Sequence, residues 1–171
     1  MRKSFHEWWP WGMKWEGGAK VHLVQGDPGG LTKWGVSLSS YPDLGEEGIR
    51  SLTESEAKLI ALGDYWIPAG CDSLPRPLDI AVMDCAFNLG LDDVMVLLPN
   101  TEKITEYFRG IFAAIGAPYG ANMLFDQARP YLAAMVYTAG RIEKHEIVGL
   151  RKPHLKNGWK NRCYDFLKTF V

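Results

Sequence analysis

The stretch KWEGGAKVHLVQGDPGGLTKWGVS, residues 14–37, decides how the rest of the chain is read. A glutamate, Glu16, stands against Gly17 and Gly18, and a glycine-rich turn forms around Asp27 a little further on. The segment AKVHLVQGD alternates weakly, as a short strand does. In DPGG, Pro28 and Gly29 take the two central positions of a tight turn led by Asp27. The segment LTKWGVS returns as a second strand, with Thr32, Trp34 and Val36 on one face by period-two alternation. The expectation is a small β-hairpin directly after Glu16.

Upstream, Trp8, Trp9, Trp11 and Trp15 crowd a segment interrupted by Pro10, which limits a helix there to one side or kinks it. The spacing of Trp8, Trp11 and Trp15 suits one helical face. Core packing is the expected use of these rings, with substrate stacking or membrane contact as the other reading. Downstream, helical patterns dominate. LTESEAKLIALGDYW opens with Thr53 and Glu56 in capping-box spacing and predicts a helix to about Trp66. PLDIAVMDCAFNLG places Leu78, Ala81, Val82, Cys85, Ala86 and Leu89 on one stripe that ends at Gly90. Asp84 and Asn88, four residues apart, share a face of that helix. A further helix is predicted from Phe125 to about Arg141, and a last one carries Trp159, Cys163, Phe166 and Phe170. The predicted fold class is mainly α with one small hairpin after the first helix. Residues 1–95 form its first region, and residues 96–171 a helical region packed on it in one compact unit.

The 171 residues, 47% hydrophobic and 23% charged, have ordinary globular composition and argue against disorder. Cys71, Cys85 and Cys163 are odd in number and lack CxxC spacing, which argues against a disulfide framework and for a reducing compartment during synthesis. The four histidines are scattered without ligand spacing, so neither a metal nor another cofactor is expected. No apolar run is long enough to span a bilayer, and the N-terminus lacks the apolar core and cleavage site of a signal peptide. Cytoplasmic synthesis without stable membrane insertion is therefore expected, as a monomer. Net charge is −1, yet from Arg141 onward eight Lys/Arg stand against three Asp/Glu. That basic segment is either a solvated helix face or a contact for an anionic polymer. No nucleic-acid motif is present, so nucleic acid is not an expected partner.

Breaking a glycosidic bond needs a proton donor for the leaving oxygen and a group that aims water at, or stabilises, the sugar cation. A carboxylic acid shielded by aromatic rings keeps its proton more readily than a solvated one. Glu16 follows Trp15 and precedes two glycines that free space for a bulky polymer. Asp27 on the turn is a candidate second carboxylate, and Thr32 a hydroxyl able to orient water. Taken singly, Asp27 reads as turn chemistry and Thr32 as strand propensity; their joint order favours catalysis. Asp84 and Asn88 read either as the polar side of an amphipathic helix or as a cleft wall that hydrogen-bonds sugar.

On EGG at Glu16–Gly18, DPGGLTKWGVS at Asp27–Ser37, LTESEAKLIALGDYW and DCAFNLG at Asp84–Gly90, the sequence resembles glycoside hydrolase family 108. These are the N-acetylmuramidase-type lysozymes of phage endolysins and bacterial secretion-activator proteins. KNGWKNRCYDFL resembles the end of the peptidoglycan-binding region that follows the catalytic part in that family. The resemblance implies a lysozyme-like helical fold that hydrolyses the β-1,4 link between N-acetylmuramic acid and N-acetylglucosamine, with peptidoglycan as partner. It implies Glu16 as general acid. Asp27 and Thr32 match the family's glycine-rich block, and their catalytic roles are extrapolated from phage-type lysozymes. Gly17, Trp34, Asp84 and Asn88 are the expected substrate contacts. Release from the host cytoplasm to the wall is the implied route. Two other readings compete: a lytic transglycosylase that leaves 1,6-anhydro ends, and a non-catalytic wall-binding or secretion-assisting module.

Overall fold

A computed structural model describes residues 3–23, 30–114, 119–150 and 153–171. The fold is mainly α with one small antiparallel sheet. Helix α1 spans Lys3–Glu16; strands β1, β2 and β3 span His22–Leu23, Leu31–Lys33 and Val36–Ser37; α2 and α3 span Gly45–Ser51 and Glu54–Ala61. Four longer helices follow: α4 at Leu78–Leu89, α5 at Leu91–Ala114, α6 at Tyr119–Gly149 and α7 at Pro153–Phe170. The chain divides into two compact units, Met1–Ile67 and Pro68–Val171. This division falls well before residue 95, because α4 packs against α5 and α6 within the second unit.

The first unit is organised by aromatic burial. Phe5, Trp8, Trp9, Trp11 and Met13 of α1 are all buried, and Phe5 meets Trp66 edge-on at 5.6 Å. Burying several aromatic rings from one helix outweighs the single backbone hydrogen bond that Pro10 deletes, since each ring removes well over 100 Å² from water. Accordingly α1 runs as one helix through Pro10, whose own side chain is exposed. Gly12 is required by the same packing: a Cβ there would lie 2.8 Å from the Trp8 ring.

Helix α3 begins as its sequence predicts. Thr53 Oγ1 accepts from the Glu56 N–H at 3.3 Å, and the Thr53 N–H donates to Glu56 Oε2 at 2.8 Å. After Ala61 the helix widens into a π turn, Leu62–Trp66, which buries Trp66 in the core.

In the second unit α4 is the central element. Every residue from Leu78 to Ala86 is buried, so the predicted one-sided stripe is in fact a helix enclosed on all faces. Gly90, at φ 105°, ends it. Helices α5 and α6 pack along it and α7 packs on α6. The late helix is longer at both ends than its predicted Phe125–Arg141 core.

Candidate active site

Glu16 is the last residue of α1 and is half-buried. The two glycines after it both take the left-handed conformation, Gly17 at φ 78° and Gly18 at φ 57°, so the chain leaves the helix by a turn that L side chains disfavour. Space is limited too. A Cβ on Gly17 would lie 3.3 Å from the His22 ring, and one on Gly18 3.6 Å from Cζ3 of Trp34. The corner is tied down by backbone bonds. The Lys20 N–H donates to the Gly17 carbonyl at 3.3 Å, and the Trp34 N–H donates to the Gly18 carbonyl at 2.9 Å. The residue carrying Glu16 is thus followed immediately by a segment bonded to the sheet.

That sheet has three strands in the order β1–β2–β3, both pairs antiparallel. Thr32 lies in its middle strand, opposite His22 on one side and Ser37 on the other. Its hydroxyl donates to the Gly30 carbonyl at 3.2 Å, which directs the lone pairs of Oγ1 elsewhere as acceptors. A hydroxyl used in this way can take a hydrogen from water. Asp27 and the Pro28–Gly29 turn lie outside the described residues.

The predicted second strand, LTKWGVS, is broken in two. Trp34 and Gly35 have φ 56° and 75° and form a two-residue turn between β2 and β3, closed by the pairing of Lys33 with Val36. Trp34 therefore does not alternate with Thr32 and Val36. The signal was present: a glycine in second place between two short β-favouring runs marks a primed hairpin turn, although Asn rather than Trp is the usual first residue. The Trp34 ring is half-buried and tilted 32° against Trp9, centroids 6.3 Å apart. Trp9 in turn donates from Nε1 to Glu54 Oε1 at 2.9 Å and lies beneath Lys58 Nζ, 5.5 Å from the ring centroid. Lys58 also pairs with Glu54 at 2.7 Å, and the hydrogen bonds from Lys58 and Trp9 hold the Glu54 carboxyl below its ordinary range. Sequence reading missed this Trp9–Glu54–Lys58 brace, because 45 residues separate the first pair.

The second unit corrects one predicted contact. Asp84 has no exposed surface, and its carboxylate is held by two guanidinium groups. Arg162 donates from Nε to both carboxylate oxygens, at 3.1 and 3.2 Å, and from NH2 to Oδ1 at 2.7 Å. Arg141 NH2 lies 2.9 Å from Oδ2 without hydrogen-bond alignment, so charge rather than direction holds that pair. A carboxylate so enclosed has no face for a sugar; Asp84 is a buried anchor, not a cleft wall. Asn88, one turn on, is half-buried, and its Oδ1 meets no hydrogen-bond partner among the described residues. Close by, His145 is fully buried, stacks on Trp159 at 5.1 Å, and finds no hydrogen-bond partner for either ring nitrogen among the described residues. Burial first, then the Arg141 charge, pushes its pKa down to about 4.

Among the described residues no group of three or more His, Cys, Asp or Glu side chains is placed to hold a metal ion, and no helix is long and apolar enough to cross a membrane. What the first unit does offer is a carboxyl at a helix end, a rigid glycine corner beside it, and a hydroxyl on a braced sheet. Residues 10–90 match the family model Glycosyl hydrolase 108. No curated protein and no solved structure matches the chain.

Proposed function

We propose, from the match of residues 10–90 to the family model Glycosyl hydrolase 108, that the chain is a glycoside hydrolase of that family and an N-acetylmuramidase acting on peptidoglycan. The bond cleaved is the β-1,4 link from N-acetylmuramic acid to N-acetylglucosamine. Glu16 is the general acid that protonates the leaving oxygen. Its support is the geometry of the EGG corner. The carboxyl ends a helix anchored by buried tryptophans, and two left-handed glycines turn the following chain back onto the sheet.

Protonation of the bridging oxygen develops positive charge on the sugar ring, which water must then attack. Thr32 Oγ1, already donating to Gly30, accepts a hydrogen from that water and helps to orient it. Asp27 supplies the second carboxylate, as base or as stabiliser of the sugar cation. A carboxylate gap of roughly 6.5–9.5 Å corresponds to inversion and one of about 5 Å to retention. Gly17 is exposed at the corner and is the proposed point of contact with the polymer chain. The polymer lies outside the cytoplasmic membrane, so the enzyme acts there after release from its compartment of synthesis.

The test is digestion of purified peptidoglycan by the wild type and by Glu16→Gln. We expect the variant to keep the wild-type circular dichroism and to lose at least about 100-fold in rate, the usual weight of a general acid. The wild type leaves hydrated reducing ends. Undiminished lysis by the folded variant refutes the role of Glu16, and 1,6-anhydro ends from the wild type refute hydrolysis.

A further inference from the structure

Among the described residues, Trp34 is the one non-glycine residue at positive φ. A bulky side chain in that conformation is an outlier, and the turn it occupies is served better by Asn or Gly. The backbone therefore gives no reason for tryptophan here, so the reason lies in the ring and in what the ring touches. Three contacts define its place. The Trp34 N–H donates to the Gly18 carbonyl at 2.9 Å. Its six-membered ring edge faces Gly18, with Cζ3 3.6 Å from where a Cβ would stand. Its other neighbour is Trp9, whose indole is fixed from α3 by Glu54 and covered by Lys58. The ring therefore fills the space between the glycine corner and the buried wall of α1.

We propose that Trp34 is a positioning residue: its indole, wedged between Trp9 and Gly18, fixes the corner that carries Glu16 and so sets where the acid's proton is delivered. Unlike a sugar platform, this role acts through Gly18 and not through contact with the glycan. It rests on the reading of Glu16 as general acid. A strained residue held by its surroundings is how a fold fixes geometry at a reacting centre. Displacement of a reacting group by about 1 Å costs up to about 100-fold in rate, so a loosened corner shows first in turnover.

The experiment measures kcat and KM on soluble glycan strands of alternating N-acetylmuramic acid and N-acetylglucosamine, together with thermal midpoints, for the wild type, Trp34→Asn, Trp34→Phe and Glu16→Gln. Asn keeps the N–H and suits the turn, so Trp34→Asn is expected to unfold no earlier than the wild type. Its kcat is expected to fall about 10- to 100-fold at a KM within about threefold of wild type. Trp34→Phe, which keeps a ring over Gly18, is expected to recover part of the turnover. A raised KM with unchanged kcat would make the ring a substrate contact and overturn the proposal. So would a lowered midpoint with full turnover per folded molecule. Should Trp34→Asn not fold, Trp34→Phe carries the test: kcat reduced about threefold or more at wild-type KM supports the wedge, and undiminished kcat overturns it. Glu16→Gln separates the two layers. If it is inactive while Trp34→Asn is fully active, only the wedge fails; if it stays active, the acid assignment fails and the wedge with it.

Discussion

Single residues in this chain divide into those proposed for chemistry and those that hold charge inside. Glu16 stands out in the sequence because a glutamate before two glycines and a hairpin is an unusual use of those residues, and the structure places it at the end of α1. Asp84 was not legible. Its spacing from Asn88 resembles a polar helix face, and only the burial of α4 on all sides shows that its partners are Arg141 and Arg162, 57 and 78 residues away. His145 belongs to the same buried group and carries a prediction about pH. Facing it are Asp84 from α4, Asp93 from α5, Arg141 from its own helix and Arg162 from α7. Its folded pKa, about 4, lies below the ordinary histidine value of about 6.5, so the unfolded chain binds the proton more tightly. Its effect is absent above about pH 6.5. Stability is lost as pH falls from there and the loss levels off below about 4, by up to about 3 kcal/mol. His145→Phe keeps a ring against Trp159 and removes the proton. We expect its thermal midpoint to be flatter than the wild type's between those pH values. Parallel curves would remove His145 from the account.

Elements follow the same division. The start of α3 and the end of α4 were readable because each rests on local chemistry, the Thr53–Glu56 box and Gly90. Thr53→Ala removes one half of the box and is expected to cost about 1 kcal/mol, seen as a lower unfolding midpoint with activity unchanged. An unchanged midpoint would show that α3 is held by packing alone. The sheet was read only in outline. Alternation of β-favouring residues extends straight through Lys33–Val36, whereas the backbone reverses there because Trp34 and Gly35 both turn left-handed. Helix α5 was not read at all. Pro99 stands inside it and its apolar residues keep no single stripe, so tertiary contacts with α4 and α6, not its own periodicity, account for it.

At the scale of the whole chain, the residues proposed for chemistry belong to the first unit and the buried ion group to the second. The family match, residues 10–90, takes in the first unit from Pro10 onward and all of α4. Two of the basic residues counted after position 140, Arg141 and Arg162, are buried on Asp84 and do not contribute to a polymer-facing surface. Asp84→Asn tests this division. It leaves two guanidinium groups with a neutral partner, and breaking a buried ion group in this way costs roughly 3–5 kcal/mol. We expect a large loss of thermal stability, with KM for glycan unchanged in the molecules still folded at low temperature. A raised KM without loss of stability would return Asp84 to the substrate site.

The central claim is that Glu16 delivers a proton to the bridging oxygen, and leaving-group dependence tests it most directly. A glycoside whose leaving group is a dinitrophenolate departs without protonation, whereas the natural sugar alcohol does not. For Glu16→Gln we predict bond cleavage close to the wild-type rate on the dinitrophenyl glycoside of the same sugar, beside a loss of at least about 100-fold on peptidoglycan. Equal losses on both substrates, or none on either, would contradict the assignment.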